Sequence, residues 1–168
     1  MNKKKTINLN PANQSKILPV STEGLQYISY KHSVFSTELF DIAYSMKIAI
    51  YPTGKVRAQE RVGHGKISDQ RQYEAAPEAV VRLFEDVVEC INNKYPYEVL
   101  VPDDSAGKLT LYYPDRNIKV DRGARDAINN VHLGDIVLRF FEENGIGWNI
   151  SEEGWQRYLE MTEKSRID

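Results

Sequence analysis

Between Tyr44 and Ile50 the chain alternates strictly: Tyr44, Met46, Ile48 and Ile50 fall on one side, Ser45, Lys47 and Ala49 on the other. Period two is the signature of a strand with one buried face. After a Pro52-Thr53-Gly54 turn the chain returns with Val56, Ala58 and Val62 in one phase and Lys55, Arg57, Gln59 and Arg61 in the other. This predicts a first hairpin with an apolar and a basic face. A second hairpin is expected over residues 108–121, turning at 114–117. Leu109, Leu111, Tyr113, Ile118 and Val120 make its apolar side; Lys108, Thr110, Tyr112, Asn117, Lys119 and Asp121 make its polar side.

Between and after the hairpins the period changes to that of a helix. Pro77 suits a first helical turn, because its missing N–H would be unpaired there. Val80, Phe84, Val87, Val88 and Ile91 follow at helical spacing, with Val81 expected to widen the stripe. A second helix is expected over residues 130–144, with Leu133, Val137, Phe140 and Phe141 inward and Gly145 as its stop. Ser151 is placed to cap a last helix, whose Trp155, Tyr158, Leu159 and Thr162 are expected to face the core. Residues 25–30 are rich in strand formers, residues 97–101 form a short further candidate strand, and the polar run from Gly63 to Gln70 reads as a loop.

These elements predict an α+β fold: a mainly antiparallel sheet built from two hairpins, with one face covered by two or three helices. Residues 1–22, rich in Asn, Lys, Ser and Pro, are expected to form a flexible polar arm ahead of a single domain over 23–168.

Composition narrows the class. Hydrophobic residues at 41% and charged residues at 27% are those of a globular protein, and no apolar run approaches a bilayer span of roughly 20 residues. With Cys90 as the only cysteine and no apolar stretch behind Lys3-Lys4-Lys5, a cytoplasmic location is expected. The net charge of −2 argues against a general nucleic-acid binder, yet it conceals a segregation. Residues 45–71 carry Lys47, Lys55, Arg57, Arg61, Lys66 and Arg71 against Glu60 and Asp69, whereas residues 74–93 carry Glu74, Glu78, Glu85, Asp86 and Glu89 against Arg82. A basic sheet under acidic helices is the expected result.

No residue set has the spacing of a catalytic or metal site. Asp103 to Lys108 lacks the first glycine and the Ser/Thr after the lysine that a phosphate loop needs, so turn chemistry accounts for it. His132 with Asp135 is one ligand short of even a three-residue zinc site. Cys90 near a helix C-terminus has no base beside it and reads as an inert, partly buried side chain. No cofactor and no metal are therefore expected. The expected function is that of a non-enzymatic binding module, of the class that includes inhibitors, adaptors and immunity-type proteins. It would engage a protein partner through Lys47, Lys55, Arg57, Arg61, Tyr112 and Lys119 on the open sheet face. Single-stranded nucleic acid on the same face is one alternative, distinguished by a steep salt dependence. An enzyme site assembled around His64, Asp103, Asp104 and His132 is the other.

Overall fold

A computed structural model of the chain describes residues 4–9, 13–36, 41–63, 67–94, 105–120, 133–147 and 151–167. The elements are β1 (Lys5–Leu9), α1 (Gln14–Ile17), β2 (Tyr27–Ser36), β3 (Asp41–Ile50), β4 (Lys55–Val62), β5 (Ile67–Glu74), α2 (Pro77–Lys94), β6 (Ser105–Tyr112), β7 (Arg116–Val120), α3 (Leu133–Glu143) and α4 (Glu152–Ile167). All seven strands share one sheet in the order β1-β7-β6-β2-β3-β4-β5.

The α+β class is as expected, but the sheet is mixed and extends beyond two hairpins. β1 runs parallel to β7, with Ile7 opposite Ile118 and Leu9 opposite Val120; the remaining pairings are antiparallel. β2 holds the middle, bonded to β3 on one side and β6 on the other. β5 occupies residues that include part of the expected loop, because its polar side chains suit a sheet edge where no second neighbour must be packed. Residues 4–9 and 13–22 lie within the expected polar arm. Among its described residues Leu9 and Val20 are buried, and the Asn92 side chain on α2 accepts from Val20 N at 2.8 Å and donates to Val20 O at 2.9 Å. The expected strand at 97–101 lies outside the described residues.

The core lies between one sheet face and the helices. Ile28 and Tyr30 of β2, Met46, Ile48 and Ile50 of β3, Val56 and Ala58 of β4, and Leu109 and Leu111 of β6 meet Val80, Leu83, Phe84, Val87 and Ile91 of α2. α3 contributes Leu133, Val137, Phe140 and Phe141, the last packed edge-on against Tyr30 with ring centres 6.2 Å apart. Each such fully buried apolar side chain stabilises by about 1.5–3 kcal/mol, which is why the apolar phases decide the layering. Val81 does not widen the α2 stripe; it is 50% exposed, on the flank turned away from the sheet.

Two glycines close turns that set this geometry. Gly54, at φ 95°, ends the β3–β4 turn and accepts from Ala75 N at 2.7 Å; a Cβ there would collide with Ala75 O. Gly145, at φ 66°, ends α3 as expected, with Ile146 N donating to Phe141 O at 2.8 Å.

Candidate partner-binding face

Strand register decides what the second sheet face presents. Lys31 of β2 lies opposite Lys47 of β3 and opposite Lys108 of β6, so three lysines stand in one row across adjacent strands. The neighbouring row is Lys119–Thr110–Ser29–Ala49–Arg57, read across β7, β6, β2, β3 and β4. Arg61 continues the cationic surface on the other side, opposite Ser45. All helices of the described residues pack on the opposite, apolar face.

Six expected residues, Lys47, Lys55, Arg57, Arg61, Tyr112 and Lys119, therefore occupy one face of one sheet. Lys47, Arg57 and Arg61 are exposed, and Lys55, Tyr112 and Lys119 are half-buried. Lys31 and Lys108 belong with them. Among the described residues no carboxylate makes an ion pair with Lys31, Lys47, Lys108 or Lys119. Partial burial, and then the cations of Lys108, Lys47, Lys119 and Arg61, push the Lys31 ammonium below its ordinary range.

Beside the lysines stands a ladder of tyrosines. Tyr27 stacks on Tyr112 with ring centres 4.0 Å apart and planes 8° from parallel, and on Tyr51 at 4.9 Å and 24°. The Tyr112 hydroxyl lies 3.0 Å from Ser29 Oγ, so this ring leans into the row that separates it from the lysines. Desolvation raises the Tyr27 phenol above its ordinary value, with smaller contributions from Tyr112 and Tyr51. Because Tyr27 is stacked between Tyr51 and Tyr112, it has no free ring face for a nucleobase, and only the outer faces of the two end rings lie outside the stack.

The two acids of the basic segment are absent from this face. Glu60 is paired across the sheet with Asp69 on the apolar side, where Glu60 is fully buried. Its Oε2 accepts from Ser151 N at 2.8 Å and its Oε1 from Ser151 Oγ at 2.7 Å. Arg71 lies 3.8 Å from Glu60 and 3.2 Å from Asp69. Ser151 in turn caps α4 as expected, accepting from Gly154 N at 3.0 Å. This anchorage rotates α4 so that Gly154 and Thr162 are buried, while Trp155 and Leu159, expected inward, are 44% and 41% exposed.

A cleft of about 250 Å³ opens within the helix layer between α2 and α3, where Arg82, Asp86, Arg139 and Glu143 mix both signs of charge. Among the described residues no group of three His, Cys, Asp or Glu side chains is placed to hold a metal ion, and no helix is long and apolar enough to cross a membrane. His64, Asp103, Asp104 and His132 lie outside the described residues. Cys90 is buried. No protein-family model matches the chain, and no curated protein matches it significantly.

Lys31 was the residue the sequence pattern passed over. Its signal was available in Tyr27, Ser29, Lys31 and Ser33, the polar phase set against Ile28 and Tyr30.

Proposed function

We propose that this chain is a non-enzymatic binding module that grips an acidic protein partner through the face formed by β7, β6, β2, β3 and β4. The observation that carries this reading is the row Lys47–Lys31–Lys108, three cations side by side without a described counter-ion. Like charges directly opposite on neighbouring strands are destabilising, so the row is held against its own repulsion and is relieved by an incoming anionic surface. A protein partner is favoured over single-stranded nucleic acid for two reasons. Tyr27, the central ring of the tyrosine stack, is covered on both faces and cannot receive a base, and the net charge of −2 repels a long polyanion once it extends beyond the face. The cytoplasmic location expected from the sequence belongs to the same reading.

The test is affinity purification of tagged protein from its native cells after nuclease treatment, comparing the natural chain with Arg57→Glu plus Lys119→Glu. A stoichiometric protein retained by the natural chain and lost by the folded double variant supports the reading. Equal retention by both chains removes the sheet face as the binding surface.

A further inference from the structure

Resting on that reading of the sheet face, we infer that the partner offers an acidic α-helix, laid across the strands along the Lys47–Lys31–Lys108 row. The pitch of the row selects a helix. Neighbouring strands are spaced by roughly 4.8 Å, so three lysines opposite one another span roughly 10 Å at the sheet surface. Carboxylates on one stripe of a helix, at i, i+4 and i+7, are neighbours at roughly 5–6 Å and span roughly 10 Å along the axis. Same-side residues of an extended segment are roughly 6.6 Å apart, so three of them span roughly 13 Å and fall out of step with the lysines.

The surroundings of the row fit the same occupant. On one side the ladder Tyr51–Tyr27–Tyr112 runs parallel to the lysines and leans toward them through the Tyr112–Ser29 contact. A helix on the row would rest one flank on tyrosine edges and hydroxyls while its acidic stripe meets the ammonium groups. Lys119 and Arg57 lie in the row between, toward its two ends, and Arg61 borders the far side. Lys31 is the centre of this arrangement, the cation that feels Lys108, Lys47, Lys119 and Arg61 together. It is the position where one negative charge is met from the most directions.

A second copy of the chain is a poorer occupant. On α2 the exposed stripe Glu78, Arg82, Glu85 and Glu89 is interrupted by a cation, and on α4 Arg157 pairs with Glu153 at 2.9 Å and Gln156 interrupts the stripe from Glu152 to Glu160, so neither helix offers three acids at i, i+4 and i+7.

Three alanine-based, fluorescently labelled peptides of equal length and charge provide the test against the whole chain. One is a stapled helix with Glu at i, i+4 and i+7; one is a stapled helix with the same Glu residues spread around its circumference; one is kept extended by prolines. Affinities are measured by anisotropy at low and physiological salt, alongside Lys31→Glu and a single-stranded oligonucleotide of equal charge. The striped helix is expected to bind at least about fivefold more tightly than either control, as three aligned ion pairs of modest strength would give. Lys31→Glu is expected to abolish that preference. Equal affinities for all three peptides, lost together in Lys31→Glu, would overturn the helix and leave the acidic-partner reading standing. No binding by any peptide, binding indifferent to Lys31→Glu, or a stronger hold on the oligonucleotide would overturn both. Glu-stripe binding that appears only as self-association of the chain in light scattering would replace the foreign helix with a second copy.

Discussion

Glu60 and Ser151 are joined twice: the backbone N–H of Ser151 donates to one oxygen of the buried carboxylate and its hydroxyl donates to the other. One side chain of β4 thereby holds the residue that caps α4. Glu60→Ala would leave the Ser151 N–H without this acceptor and Arg71 without its buried partner, and is expected to destabilise the chain by about 3 kcal/mol. Native-state hydrogen exchange is the direct check. α4 amides are expected to lose protection well before those of β2 and β3; a uniform loss across helix and sheet would show that the contact does not hold the helix separately.

Tyr44 sits on the same buried side, where burial first and the Glu60 charge second raise its phenol far above the ordinary 10.0, with Arg71 opposing. The folded state therefore favours the neutral ring. That contribution is complete below pH 10 and is lost as pH rises above it, because the unfolded chain then releases a proton that the folded chain keeps. Tyr44→Phe is expected to flatten the alkaline decline in stability, measured by urea unfolding at stepped pH. An unchanged slope would mean that this phenol titrates normally.

The tyrosine ladder has an asymmetry that mutation can read. Tyr27 touches two rings and Tyr51 one member of the described stack. With each ring pair contributing about 0.5–1.5 kcal/mol beyond burial, Tyr27→Ala is expected to destabilise by about 1 kcal/mol more than Tyr51→Ala. Tyr112→Phe, which removes only the hydroxyl facing Ser29, should cost about 1 kcal/mol or less. Chemical denaturation of the three variants decides the order; equal losses for Tyr27→Ala and Tyr51→Ala would count against the stack as a source of stability.

Lys31 should show function and stability opposed. Removing its charge with Lys31→Gln relieves the repulsion from Lys47 and Lys108 and is expected to stabilise the isolated chain by a few tenths of a kcal/mol, after allowance for solvent screening. The same change is expected to weaken acidic partners the most of any single lysine variant. A thermal melt and a titration of the striped peptide suffice, and a destabilised Lys31→Gln would show the row to be structurally favourable.

Sequence periodicity made some elements legible and left others hidden, for physical reasons. α2 announced itself because Pro77 and the Val80, Phe84, Val87, Ile91 spacing agree, and α3 because Gly145 closes a strong apolar stripe. The face bearing Lys47, Arg57 and Lys119 was visible because period two sorts side chains without knowledge of strand order. β5 was hidden because an edge strand with Asp69, Gln70 and Gln72 lacks the apolar phase that marks a strand packed on both flanks. The place of Glu60 could not be read at all. It looks like one more surface charge until folding brings in Ser151, a partner far along the chain. The exposure of Trp155 follows from that same contact, since the cap and not the apolar stripe sets the rotation of α4.

The parallel pairing of β1 with β7 has a consequence for synthesis. β1 leaves the ribosome well ahead of β7, since Arg116, the sheet neighbour of Lys5, follows it by more than a hundred positions. At about 5–20 residues per second, β1 waits several seconds or longer with its apolar side, Ile7 and Leu9, unpaired. The β2–β3–β4–β5 meander can assemble in that interval, so β1, made before these strands, finds its place after them.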